Sequence, residues 1–277
     1  MRKKKEYIIV KRYVANKWFA VLLLVMGIIG IAFILHQIFS YTTLVQPQLE
    51  NLYPFYTTNN VSGLNYLAYF TIISNLVISL YFVSLALSIF GVKGFKNLVL
   101  NPSLVSAVVL YLFIVGFVYC GVLSWFIQDY EWNTPLFFHN IISYWQHIIV
   151  PLFMLVLLFR PFTNQTIPKK CAFYYLIFPF IYLVFSLLRG GLGTSHFYAY
   201  PFFNAQMLWT YLGLGSQYQS TLAIIYMIVS LLILLVLFYL FARFIIYTHN
   251  SNVKKIFYNT IEQKTAPDEK TDIIYKS

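Results

Sequence analysis

The chain has 277 residues, of which 60% are hydrophobic, 20% aromatic and only 10% charged. So few charges cannot cover the surface of a water-soluble domain of this length, which excludes a soluble globular protein and implies an integral membrane protein. The net charge of +11 would suit a nucleic-acid binder, but the basic residues stand in short clusters between apolar runs, as topology signals do, so no nucleic-acid partner is expected.

Met1 to Lys17 forms a basic tail ahead of the unbroken apolar run Trp18 to Leu35. That run is too long for a signal-peptide core and no small-residue cleavage site follows it, so it reads as a retained first span. A hydrocarbon core of about 30 Å needs roughly 20 apolar residues per helix. Six segments qualify: Trp18–Ser40, Leu67–Phe90, Leu104–Phe126, His139–Phe159, Ala172–Leu188 and Ser220–Ile246. The expected fold is all-α: six transmembrane helices over residues 18–248, between a basic tail (1–17) and a polar, lysine-rich tail (249–277). The fifth span is short, and the loop after it is a candidate to dip back into the membrane.

Of the nineteen Lys and Arg, eighteen fall in the N-terminal tail, the loops after the second and fourth spans and the C-terminal stretch from Arg243; only Arg189 lies on the other side. The positive-inside rule therefore predicts cytoplasmic termini in a cell-membrane protein. Cys120 and Cys171 stand alone, without metal-ligand or redox spacing, and read as small packed hydrophobes. No metallohydrolase, nucleophile-elbow or dinucleotide motif is present, so neither a metal nor a cofactor is expected.

The most informative residue is His147, a titratable imidazole inside an apolar span, where it needs a partner, a wet cavity or a function. Asn140, Ser143, Tyr144 and His147 fall at helical offsets 0, 3, 4 and 7, one polar stripe on an otherwise apolar helix. Pro151, one turn on, cannot donate to the carbonyl of His147, which predicts a kink and a free acceptor there. The second span runs the same way and carries Thr71, Ser74 and Asn75 at offsets 0, 3 and 4. Rising 1.5 Å per residue, Thr71 and His147 lie roughly 6 and 12 Å inside the starts of their spans, compatible depths for tilted helices. Beyond Arg189, the loop from Gly190 to Gln219 is dense in aromatics, including Tyr198, Tyr200, Phe202, Phe203 and Trp209. It reads either as an interfacial anchoring belt or as a lid over a Thr71–His147 cavity. Arg189 is a candidate for an anionic head group at the mouth, or for pairing with Asp129 or Glu131.

Tyr69-Phe70-Thr71, Ser74-Asn75, His147-Ile148-Ile149-Val150-Pro151, Phe178-Pro179, Leu188-Arg189-Gly190 and Tyr200-Pro201-Phe202-Phe203 occur in that order. Together they resemble the bacterial six-span branch related to the androgen-induced and androgen-dependent TFPI-regulating proteins, over roughly residues 67–203. The resemblance implies a six-helix fold with cytoplasmic termini. Animal members are intramembrane threonine hydrolases of fatty-acid esters of hydroxy fatty acids, with the nucleophilic Thr in the second span and an essential His in the fourth. By motif these fall on Thr71 and His147.

That pairing suits ester hydrolysis on acylated lipid-like substrates. A threonine hydroxyl is a poor nucleophile until a base takes its proton, and an imidazole of ordinary pKa about 6.5 serves as that base. Asn75 or Asn140 is a candidate oxyanion donor, and Ser143, Tyr144 or a backbone carbonyl would orient the ring. Two other classes compete: a non-catalytic lipid-binding or scaffold protein, and a small-solute transporter. The second is disfavoured because all eight acidic residues lie in tails or loops, outside the apolar spans.

Overall fold

A computed structural model of the chain describes residues 17–40, 67–92, 94, 96–123, 136–159, 165–192, 198–211, 213–214 and 220–265. Among these the fold is all helical, and six stretches are long and apolar enough to cross a membrane: Lys17–Phe39, Phe70–Ile89, Pro102–Gly121, Asn140–Leu158, Cys171–Leu192 and Ser220–Lys255. Each overlaps one of the six segments expected from hydropathy. The helices are α1 (Lys17–Ser40), α2 (Phe70–Ile89), the short α3 (Lys96–Val99), α4 (Pro102–Val118), α5 (Leu136–Tyr144) and α6 (Val150–Leu158). After them come α7 (Cys171–Tyr175), α8 (Ile177–Leu192), α9 (Ala205–Tyr211) and α10 (Ser220–Thr265).

Prolines shape two of the spans. Between α5 and α6, Trp145–Ile149 forms a turn of π-helix, in which the Val150 N–H bonds to the carbonyl of Trp145. Pro151 lacks the N–H that would continue the α-helical ladder, and the wider turn absorbs the break. Similarly, Pro179 cannot donate to Tyr175, and the fifth span divides at Leu176, whose N–H instead reaches Phe173 at 3.1 Å. The N-terminus of α4 is capped more simply. The Asn101 side chain accepts from the Ser103 N–H at 3.0 Å, with Pro102 at the first helical position.

The core lies where α2, α4 and α6 meet, around Phe82, Leu85, Leu110, Leu112 and Met154, all essentially inaccessible. α1 packs along α2 through small residues. A Cβ on Gly30 would overlap the Ser79 hydroxyl, so only glycine admits this approach. α10 flanks the bundle with most of its surface exposed, as expected of a lipid-facing helix.

α10 also continues past the boundary expected at His249, through Thr265. His249 is buried and donates to the Gln165 carbonyl at 3.0 Å. Asn250 clamps Ile167 from both sides, accepting its N–H at 2.7 Å and donating to its carbonyl at 2.9 Å. Those polar residues are helix because they close off the segment before α7. Met1–Asn16 and residues 266–277 lie outside the described residues.

Gly30→Leu is expected to force α1 from α2 and destabilise the bundle by about 1–3 kcal/mol. A lowered melting temperature of the detergent-solubilised protein, with no such change for the exposed Leu22→Ala, is the check.

Candidate active site

α2 begins without a side-chain cap from its own N-cap residue, Tyr69. The first N–H groups of a helix have no intrahelical partner, so they must find one elsewhere when buried. Here the loop after α8 supplies it: the Thr71 N–H donates to the Tyr200 hydroxyl oxygen at 3.3 Å. The Tyr182 hydroxyl of α8 donates to the Ala68 carbonyl at 2.8 Å, three residues before Thr71. Thr71 is thereby fixed at the first turn of α2, buried, with its hydroxyl turned into the bundle.

Thr71 Oγ1 lies 3.4 Å from His147 Nε2 and 3.2 Å from the Tyr200 hydroxyl. The sequence-derived pair therefore meets across α2 and the π-helical turn. A separation of 3.4 Å is at the long end for a hydrogen bond. His147 Nδ1 lies 2.8 Å from the Ser143 carbonyl and 3.2 Å from the Ser143 hydroxyl. A carbonyl oxygen only accepts, so Nδ1 carries the hydrogen, and the neutral ring presents a lone pair at Nε2. The Thr71 hydroxyl then donates to Nε2, the direction that base catalysis requires. Tyr119, from the π-helical turn ending α4, stacks on the imidazole at a centroid distance of 4.0 Å and 17°.

The other expected site residues divide. Asn75 is buried and donates through Nδ2 to the carbonyls of Thr71, at 2.9 Å, and Gln146, at 3.3 Å. Both amide hydrogens are committed, which leaves none for a substrate oxygen; the residue ties α2 to the π turn instead. Asn140 is buried, and its Nδ2 has no partner among the described residues. Ser143 contacts the His147 ring through both its carbonyl and its hydroxyl. Tyr144, expected on the same stripe, is 38% exposed. It sits at the rim of that face, just before the helix widens at Trp145. Arg189 is half-buried in the last turn of α8, while Asp129 and Glu131 lie outside the described residues.

Beside Thr71 opens a cavity of about 620 Å³, its mouth included. Thr71, Tyr182 and Tyr200 contribute its hydroxyls, and every other residue of its wall is apolar, from α2, α4, α8, α10 and the loop. α8 and α10 both line it yet touch one another only sparsely, so the cavity's flank lies between two lipid-facing helices. His147 is not part of the wall; it stands behind Thr71.

Residue-type spacing did not single out Tyr200, which is buried within the aromatic cluster of Tyr69, Tyr182, Phe202 and Phe203. The loop is pinned at Gly190, where a Cβ would overlap the ring of Tyr198. Nor did spacing reveal Gln37 and Gln146, which pair reciprocally between α1 and the π turn, with Gln146 Nε2 donating to Gln37 Oε1 at 2.7 Å. Among the described residues no group of His, Cys, Asp or Glu has the makings of a metal site. Comparison with protein-family models, curated proteins and solved structures finds no match to the chain.

Gln146→Leu is expected to strand the buried Gln37 amide and cost about 1–3 kcal/mol. The double substitution Gln37→Leu/Gln146→Leu should recover most of that loss, a coupling measurable as a double-mutant cycle of thermal unfolding in detergent.

Proposed function

We propose that the protein is an intramembrane ester hydrolase with Thr71 as nucleophile and His147 as general base. The observation that carries this reading is Thr71 Oγ1 beside a His147 Nε2 whose lone pair is directed at it by the Ser143 carbonyl. A histidine serving only to satisfy polar neighbours needs no serviceable hydroxyl at Nε2 and no space for a substrate beside that hydroxyl. Here both are present: Thr71 contacts the ring and also lines the cavity.

The steps follow from that geometry. Thr71 Oγ1 attacks an ester carbonyl carbon as its proton passes to His147 Nε2. The tetrahedral intermediate collapses, and the departing alkoxide takes the proton back as an alcohol. Water, deprotonated by the same nitrogen, then attacks the acyl-threonine and releases the carboxylic acid, restoring both side chains. The apolar walls favour the hydrocarbon part of an acylated lipid. Arg189, near the end of α8, is the proposed contact for an anionic head group. The motif order that resembles the androgen-induced and androgen-dependent TFPI-regulating proteins agrees with this chemistry, and membership of their bacterial branch is part of the proposal. So is the orientation: both termini in the cytoplasm, from the distribution of Lys and Arg, in a multi-pass protein of the cell membrane.

The test is covalent labelling of the purified full-length protein by a fluorophosphonate probe, alongside turnover of a 4-methylumbelliferyl acyl ester. Thr71→Ala should abolish labelling, and Thr71→Ala and His147→Ala should each lower turnover by about 10³-fold or more, with unchanged expression and melting. Retained turnover in either variant sinks the mechanism. An unlabelled, inactive but folded wild-type protein would instead leave the cavity as a lipid-binding site.

A further inference from the structure

We infer that Tyr200 is a third catalytic residue, whose phenol O–H aligns the Thr71 hydroxyl and then donates to the oxyanion of the tetrahedral intermediate. This role rests on the ester-hydrolase reading and adds to it the electrophilic half of the site.

The directions of the hydrogen bonds lead there. The Tyr200 oxygen already accepts the Thr71 N–H, at 3.3 Å. Thr71 Oγ1 lies 3.2 Å from the same oxygen, and one of the two hydroxyls must donate to the other. The Ser143 carbonyl holds the hydrogen of His147 on Nδ1, so the Thr71 proton has an acceptor at Nε2. Tyr200 is therefore the donor to Oγ1, and the four groups form a consistent chain: Tyr200 O–H to Thr71 Oγ1, Thr71 O–H to His147 Nε2, His147 Nδ1–H to the Ser143 carbonyl. With its lone pair engaged by Tyr200, the Thr71 hydroxyl cannot rotate its proton away from the base.

Placement supplies the second step. Thr71 and Tyr200 both face the cavity, whereas His147 does not line it. An ester carbonyl approaching Oγ1 from the cavity meets the phenol on the side where its oxygen develops negative charge. As Oγ1 bonds to carbon it becomes a weak acceptor, and the former carbonyl oxygen, now anionic and attached to that same carbon, becomes a strong one. The O–H turns to it without net proton transfer, and it returns to Oγ1 when the acyl group leaves. Burial pushes the Tyr200 phenol above its ordinary value, against a smaller opposing effect of its hydrogen bonds to Thr71, so the hydrogen is retained at neutral pH. Asn75, the alternative donor on α2, has both its amide hydrogens engaged by backbone carbonyls.

The experiment compares wild type, Tyr200→Phe and Thr71→Ala in detergent, with steady-state kinetics on a 4-methylumbelliferyl acyl ester and melting of each protein. Phenylalanine keeps the ring packing against Tyr69 and Phe202 and removes only the hydroxyl. Tyr200→Phe should lower kcat by about 10²–10³-fold with KM within about threefold of wild type, the signature of a lost oxyanion donor. A kcat within about fivefold of wild type, while Thr71→Ala is inactive, overturns the role of Tyr200 and leaves the Thr71–His147 mechanism standing. A loss that appears in KM and melting temperature rather than in kcat overturns it equally, because the hydroxyl then serves only to cap α2. A wild-type protein without turnover, or an active Thr71→Ala, removes the hydrolase reading and the Tyr200 role with it.

Discussion

The side-chain amide of Asn75 bridges two backbone carbonyls, Thr71 on its own helix and Gln146 on the π turn of the neighbouring span. In a helix that crosses a bilayer, lipid offers no hydrogen bonds, so each buried polar group has to be satisfied from within the bundle. The carbonyl of Gln146 is available because the ladder around Pro151 is rearranged, and Asn75 is the residue of α2 that reaches it. That single bridge sets the register of α2 against the π turn. One turn nearer the N-terminus of α2, Thr71 contacts His147. The Gln37–Gln146 pair extends the same network to α1, so three helices share one set of buried amides.

The site is built almost without formal charge. A carboxylate behind the histidine would stabilise the imidazolium more strongly, but an ionised carboxylate buried among apolar helices carries a large desolvation penalty. The Ser143 carbonyl performs the orienting half of that task at no such penalty, since it is already part of the helix. Tyr119 stacks on the ring, and Tyr200 places a neutral hydroxyl beside Thr71. Neutral groups whose hydrogen-bond directions are fixed in advance suit a low-dielectric setting, where a well-aligned dipole is worth more than in water.

The helical spans were legible because hydropathy is a local property summed over about 20 residues. The Thr71–His147 pair was legible for a different reason: two polar stripes in an apolar chain had few places to go but toward each other. Tyr200 was not. Its sequence neighbourhood is uniformly aromatic, and an aromatic facing an interface and one buried against a helix N-terminus have the same local pattern. Only the missing cap at Tyr69 hints that a donor or acceptor must come from outside α2, and no sequence pattern says which residue supplies it. Asn75 was misassigned for a related reason. Offset arithmetic places a residue on a face but is silent on whether its hydrogens are already taken. Tyr144 lies at the partly exposed rim of its stripe, where the change of helical period at Trp145 begins. His249 and Asn250 read as tail because polarity alone does not distinguish a solvated residue from one that clamps a backbone segment.

The loop after α8 is as much a part of the site as the helices are. Tyr198 rests on Gly190 of α8, and two residues later Tyr200 reaches the first turn of α2. The same loop forms one wall of the cavity, so the element that completes the polar contacts of Thr71 also bounds the space beside it. Displacing the loop would uncap α2, release the Thr71 hydroxyl and open the cavity in one event. The position of the Thr71 hydroxyl and the wall of the cavity beside it are thus coupled through a single buried phenol.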